Sequence, residues 1–354
     1  MVVKEETGVT RLLDTAIQKN LKPFVRKIDT EAYYAEGYLT GLGEAGLLRS
    51  DDVSTSERLE RELFVTEKTA QYCMTTAFNL WCHLASLTYL RNSSNDYLKN
   101  EILPYLEQGT FLGATGLSNP MKYYAGLEKL HLQAKRTNGG YVLSGTIPSV
   151  SNLKDNHWFA VVAALADNQQ VMAFVPCNAI GLSLKEKIGY LGVNGSATFA
   201  CRFTDVFIPD EWMVSDNAEA FCENIRSTFV LYQVPLGLGV TYASIQSMKK
   251  SPQKQGGVNT FLSIQPEEIE QEYLFIKDRI ATLLDQDKLD WKAVLQIRLD
   301  IDKLIIKAVH GDMLHSGGAA YLQKSNPARR LREAYFLINL TPTEKHLEKM
   351  LAAL

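Results

Sequence analysis

Apolar positions recur at three- and four-residue spacing through the first third of the chain, the pattern of helices that bury one face. Residues 8 to about 108 are accordingly predicted helical. Ser54-Thr55-Ser56-Glu57 has the form of a capping box, in which serine oxygen and glutamate carboxylate each satisfy a free N–H at a helix start. It opens a segment with Leu59, Leu63 and Ala70 at helical spacing, followed by an apolar stretch over 73–90 that reads as a buried helix. Asn92-Ser93-Ser94-Asn95-Asp96 supplies caps for another helix over 97–106, which stops at Gly109.

From about residue 111 the period shortens to two. Leu130-His131-Leu132-Gln133-Ala134 alternates, Asn138-Gly139-Gly140 supplies a turn tolerant of positive φ, and Tyr141-Val142-Leu143-Ser144-Gly145 returns as the second strand of a hairpin. Residues 157–165 and 170–176 read as apolar strands separated by Asp167-Asn168, and 197–209 completes a set suited to a small β-barrel or sandwich. Beyond Asp210 the helical period returns. The broadest stripe lies over 291–315, through Val294, Leu295, Leu299, Ile301, Leu304, Ile305, Ala308, Val309 and Met313. Helices near 230–248 and 266–284 are joined by the polar, breaker-rich segment 249–257. The predicted fold class is α+β, with an N-terminal helical domain over 1–110, a middle β-barrel domain over 111–212 and a C-terminal helical bundle over 213–354. The long C-terminal helices are natural oligomer contacts.

Composition narrows the partners. With 37 basic and 40 acidic residues the net charge is −3, which offers no electrostatic footprint for nucleic acid or an anionic membrane. The N-terminal MVVKEETGVTRLLD has no apolar h-region and no later run approaches an uninterrupted membrane span, so a cytoplasmic location is expected. Cys73, Cys82, Cys177, Cys201 and Cys222 show no CxxC spacing, which excludes a zinc-site pattern and predicts buried, inert thiols; no metal is expected.

Four local motifs then occur in a particular order. Thr115-Gly116-Leu117-Ser118-Asn119-Pro120 comes first, then Ser144-Gly145-Thr146 through Ser151-Asn152. Gly192-Val193-Asn194-Gly195-Ser196-Ala197-Thr198 with Phe203-Thr204-Asp205-Val206-Phe207-Ile208-Pro209 follows. Gly317-Gly318, Tyr321, Pro327, Arg332 and Glu333-Ala334 come last. In this order, within helices, strands and helices, they resemble the acyl-CoA dehydrogenase superfamily of flavoproteins. The resemblance covers nearly the whole chain. It implies an N-terminal helical domain, a middle β-barrel domain and a C-terminal four-helix bundle, assembled as a homodimer or homotetramer, with FAD between β-domain and bundle. It implies that Thr115, Leu117, Ser118, Ser149, Ser151, Gly317 and Gly318 contact the cofactor, for which FMN is an alternative. The substrate implied is a small molecule, an acyl thioester, whose α-proton is taken by a carboxylate while flavin takes hydride from the β-carbon.

Several positions depart from the family pattern. Met121-Lys122-Tyr123-Tyr124 replaces a glycine-rich loop, Ser149 falls on a tryptophan, Asn194 replaces an arginine, and Leu314 replaces a glutamine. In the linker, Lys249, Lys250 and Lys254 are the cations where the family has an arginine. Thr341, before Pro342 and Thr343, stands at the family's catalytic glutamate, and a threonine is no base for an α-CH. Glu344, three residues on, is a candidate base that reaches the site only if its segment is helical, but it and His346 read as surface residues; Glu223 and Glu219 are the candidate carboxylates on the earlier helix where some family branches carry the base. Three functions stay open: a dehydrogenase with a relocated base, a flavin monooxygenase of the same fold that needs no such base, and a non-catalytic relative without flavin.

Overall fold

The computed structural model describes residues 6–51, 53–166, 168–250 and 254–354. Residues 1–5, Asp167 of the predicted 167–168 turn, Ser251-Pro252-Gln253 of the 249–257 connection and the Lys254 side chain lie outside the described residues. The chain begins with helices α1 (Glu6–Ala16), α2 (Val25–Glu31), α3 (Glu36–Glu44), α4 (Thr55–Tyr72), α5 (Met74–Asn92) and α6 (Leu103–Glu107). Strand β1 (Gly113–Thr115) and helix α7 (Ser118–Tyr124) precede β2 (Leu132–Thr137), β3 (Gly140–Val150), β4 (Trp158–Ala164) and β5 (Gln170–Pro176). Strands β6 (Leu182–Glu186), β7 (Phe199–Pro209) and β8 (Met213–Ser215) follow. Helices α8 (Ala218–Leu231), α9 (Val234–Lys249), α10 (Pro266–Leu284), α11 (Trp291–Ser316), α12 (Asn326–Leu337) and α13 (Glu344–Ala352) complete the chain.

The capping box opens α4: the Glu57 N–H donates to Ser54 Oγ at 3.2 Å and the Ser54 N–H to Glu57 Oε2 at 2.8 Å. Helix α5 has no amphipathic face because it is buried continuously from Met74 to Leu90. Its first turn lacks a cap of its own. Glu333 of α12 supplies one from across the core, accepting from the Thr75 N–H and Thr75 Oγ1 at 3.1 Å each, while Arg329 neutralises the carboxylate at 2.7 Å. Helix α9 lies between α4 and α11, and Gly239 permits its approach: a Cβ there would fall 2.5 Å from the Glu67 carbonyl oxygen. The α8–α9 stretch Ala218–Lys249 has the length and hydropathy of a membrane span, but 83% of that window is buried inside this chain, as for a core helix.

The strands form one eight-stranded sheet in the order β6-β7-β3-β2-β4-β5-β8, with β1 parallel to β4. The predicted hairpin is β2–β3, paired from Thr137↔Gly140 to Leu132↔Gly145 across the Asn138-Gly139 turn. Strand β3 runs on past the expected Gly145, pairs with β7 and carries register shifts after Leu143 and after Ile147. Leu143, Phe159, Val161, Phe203 and Ile208 pack as the sheet's own core, while α5, α8, α9 and α11 build the larger one. All five cysteines are buried; burial pushes the Cys73 thiol up to about 11 and those of Cys201 and Cys222 to about 12.

His83 of α5 joins the two cores. Its Nδ1 accepts the Gly113 N–H at 2.9 Å and its Nε2–H donates to the Leu106 carbonyl at 3.1 Å, so the imidazole is held neutral. Burial lowers its pKa from 6.5 to about 3. A depressed histidine leaves the unfolded chain binding more protons, so stability present above pH 6.5 is lost as pH falls toward 3, by up to on the order of 4–5 kcal/mol. In urea denaturation at pH 7 and pH 4.5, wild type is expected to lose about 2–3 kcal/mol more than His83→Gln. Equal losses in the two proteins would refute this role.

Candidate active site

The seam between sheet and helices holds a cavity of about 260 Å³. Its floor is aromatic, made by Phe78, Trp81 and Cys82 of α5 and Phe229 of α8. These rings interlock: Phe78 stacks on Trp81 at 5.6 Å, Trp81 meets Phe229 edge-on at 5.1 Å, and Phe78 meets Phe336 edge-on at 4.7 Å. The Trp81 indole N–H donates to the Phe229 carbonyl at 3.2 Å, which fixes the largest ring.

One wall is lined by hydroxyls. Ser151 Oγ and Thr198 Oγ1 lie 2.7 Å apart, Thr198 meets Ser196 Oγ at 2.8 Å, and Thr115 Oγ1 meets the Tyr89 hydroxyl at 2.6 Å. Opposite, Phe336, Asn339, Leu340 and Thr341 close the cavity, and Thr341 Oγ1 reaches Ser118 Oγ at 2.9 Å. A hydroxyl has one donor and two acceptor positions, so these paired groups keep acceptor capacity for a ligand. No Asp, Glu, His, Lys or Arg lines the cavity among the described residues. Burial holds the Cys82 thiol well above its ordinary pKa, so it too is uncharged.

Thr115, Ser118, Ser149, Ser151 and Thr341 are thus brought to one place. Leu117 is not on the cavity surface; it is buried, and its N–H donates to Thr115 Oγ1 at 3.3 Å. Gly317 and Gly318 lie apart from the cavity, exposed after α11, with Gly317 at φ 61° and nothing near either Cβ position. Glu223 is exposed and pairs with Arg226 at 3.3 Å, and Glu219 is exposed; neither lines the cavity. Glu344 opens α13, where its N–H donates to the Ile338 carbonyl at 3.0 Å, and it does not line the cavity either.

His346 departs from expectation. It is buried rather than on the surface, because Leu347 packs α13 against Leu295 and Leu299 of α11 and the Lys349 ammonium reaches the Ala125 carbonyl at 2.6 Å beside α7. Its pKa is lowered by burial and by the nearby Lys349 and Lys122. Met121-Lys122-Tyr123-Tyr124 forms most of α7, in place of an open loop. Asn194 builds the cavity rim: its Oδ1 accepts from the Gly189 and Tyr190 N–H groups at 3.0 and 2.9 Å, and its Nδ2 donates to the Tyr190 carbonyl at 2.8 Å. Phe78, Trp81, Phe229, Phe336 and Tyr190 were not singled out from sequence; within an all-apolar run, nothing marks which face meets a cavity.

No protein-family model matches this chain. The short-chain specific acyl-CoA dehydrogenase of Sus scrofa mitochondria is 28% identical over 218 residues, 58% of this chain and 51% of that protein. The matched stretches span between about a third and a half of the length of the curated relatives. Butyryl-CoA dehydrogenase from Megasphaera elsdenii superposes with a TM-score of 0.88 at 15% identity, covering 100% of this chain and 98% of that one. The chain has the fold of the acyl-CoA dehydrogenases. A further member of that fold, the glutaryl-CoA dehydrogenase of Mycobacterium smegmatis solved in complex with FADH2, matches with a TM-score of 0.81 at 15% identity over 99% of this chain and 94% of that one. Set against the superfamily motifs, the third motif forms the turn whose Ser196 and Thr198 line the hydroxyl wall, while Glu333 of the fourth is a buried helix cap rather than a site residue.

The wall is anchored by Asn152, fully buried at φ 67°. Its Oδ1 accepts from the Tyr34 hydroxyl at 2.7 Å and Asn79 Nδ2 at 3.0 Å, and its Nδ2 donates to the Gly113 carbonyl at 2.9 Å. Asn152→Ala strands these groups and places a Cβ-bearing residue in a left-handed conformation without the asparagine's compensation, a loss of about 3–5 kcal/mol. Urea denaturation of the variant is expected to show it; a loss below about 1 kcal/mol would contradict the assignment.

Proposed function

We propose that the protein is a flavin-dependent oxidoreductase that seats the flavin ring in the seam cavity. The supporting observation is the convergence of Thr115, Ser118, Ser149 and Ser151 on a cavity with a hydroxyl wall and an aromatic floor. A planar, uncharged ring with a polar edge suits that lining. Among the described residues, no cation lines the cavity to meet a pyrophosphate. FAD is the cofactor favoured by the superfamily, and FMN would present the same ring. Bound flavin supplies two-electron redox chemistry; the chain's own groups supply orientation, desolvation and hydrogen bonds.

The compound oxidised is proposed to be a small acyl thioester, in keeping with the names of the relatives. A second reading, a flavin monooxygenase of the same fold, is favoured by one observation: among the described residues no carboxylate or imidazole lines the cavity to take an α-proton. A visible spectrum of the purified protein after incubation with FAD or FMN tests the cofactor. A flavin band with a shifted, structured envelope is expected, and its absence would leave a non-catalytic relative. Anaerobic bleaching by an acyl-CoA identifies the dehydrogenase, whereas turnover that requires oxygen and a separate flavin reductase identifies the monooxygenase. In either case Glu223→Gln and Glu344→Gln should each change kcat less than about twofold, since neither carboxylate reaches the cavity; a loss of about a hundredfold would restore a relocated base.

A second copy of this chain is the proposed protein partner. Phe261 and Tyr321 are each 88% exposed and Leu322 is 67% exposed. Asn259 Nδ2 ties the Phe261 segment to the end of α11 at His315, so these side chains share the edge that carries Gly317 and Gly318. Sedimentation equilibrium should give a dimer or tetramer, and Phe261→Asp with Tyr321→Asp should shift it toward monomer; a wild-type monomer would remove the proposal.

A further inference from the structure

Beneath the Thr341 wall lies a buried polar chain, none of whose members lines the cavity. Arg298 of α11 is fully buried. Its Nη2 donates to the carbonyl of Leu337, the last residue of α12, at 2.8 Å; its Nε donates to Gln233 Oε1 at 3.0 Å; its Nη1 pairs with Asp302. Gln233, also fully buried, occupies the break between α8 and α9, and its Nε2 donates to the Thr341 carbonyl at 2.9 Å. One planar guanidinium therefore secures both ends of the segment 337–341, directly at Leu337 and through Gln233 at Thr341.

Stability alone does not account for this arrangement. A buried ion pair gains little over well-packed apolar residues, because desolvation offsets the attraction. Asp302 illustrates the point: its Oδ2 has no hydrogen-bond partner among the described residues, and burial pushes its pKa up to about 6 against the pull of Arg298. What the pair does supply is direction, since Gln233 with its acceptor held by Arg298 must turn its donor toward Thr341.

We infer that Gln233, aimed by the Arg298–Asp302 pair, is a positioning residue that sets the Thr341 wall of the cavity. This rests on the cavity being the functional site, but its test does not require flavin. Gln233→Glu keeps an acceptor for Arg298, and when ionised at pH 8 it has no proton to donate to the Thr341 carbonyl. The Leu340 and Glu344 amides, which donate to Leu337 and Ile338 carbonyls at 3.0 Å each, report the wall's order through hydrogen exchange. In Gln233→Glu at pH 8 both amides are expected to exchange at least tenfold faster while amides within α9 and α11 stay as in wild type; any flavin dissociation constant should rise by a similar factor. Should Gln233→Glu not fold, Gln233→Met, which also removes the donor, is measured in its place. Unchanged Leu340 and Glu344 exchange would overturn the inference, and so would equal acceleration throughout α9 and α11, which would make the network bundle support only. If wild type binds no flavin, the cofactor reading fails and the exchange result still decides this one.

Discussion

The seam between sheet and helices depends on the side-chain amide of Asn152. One oxygen receives Tyr34 from the segment before α3 and Asn79 from α5, one nitrogen reaches Gly113 at the start of β1, and the backbone N–H bonds the Ser196 carbonyl of the turn before β7. The His157 imidazole closes the set by bonding the Asn152 carbonyl at 2.8 Å. A single buried group thereby ties two layers and both sides of the hydroxyl wall. Asparagine suits the place because its short amide can donate and accept at once and because it tolerates φ 67° better than most residues. With His83 on Gly113 and Tyr89 on Thr115, that tie holds the aromatic floor on α5 against the hydroxyls on the strands.

The helical layer is cross-linked in a comparable way by buried charge. Arg91 joins Glu62 of α4 at 2.9 Å and Glu107 of α6 at 2.8 Å; Tyr232 adds a hydroxyl to Glu62. Arg329 and Glu333 hold the start of α5, and Arg330 with Asp312 at 2.6 Å joins α12 to α11. Each pair is costly to bury and costly to break, which makes such contacts selective for one arrangement more than stabilising in sum. The consequence is directional: α5 and α12, which contribute Phe78, Trp81 and Phe336 to the cavity, are held at fixed register.

The succession of helices, strands and helices was legible in the sequence because periodicity changes from 3.6 to two and back, and because the Ser54 capping box and the Asn138-Gly139 turn act locally. Of the residues that the family resemblance picked out, Thr115, Ser118, Ser149, Ser151 and Thr341 line the cavity, whereas Leu117, Gly317 and Gly318 do not. What the sequence did not reveal depends on contacts across the chain. The floor residues Phe78 and Trp81 are ordinary members of an apolar run until α8 and α12 are packed on it. His346 looked exposed because the packing of α13 on α11 and α7 has no local signature. Glu333 read as part of a motif, and only the fold shows that its carboxylate caps α5.

The lack of charge at the cavity is maintained by the surrounding chemistry and extends beyond Thr341. An ionised carboxylate at that position would have to be desolvated beside Phe336, Phe229 and Trp81, and among the described residues no cation lines the cavity to offset it. The nearest fixed charges in the network, Arg298 and Asp302, neutralise one another, and Gln233 passes on only a dipole. Thr341 instead satisfies its hydroxyl through Ser118 and its carbonyl through Gln233. Threonine at this point is therefore matched by its neighbours on both sides. Restoring a base would require a new partner for the carboxylate as well as a new residue, so the neutral wall is a property of the whole network from Asp302 to Ser118.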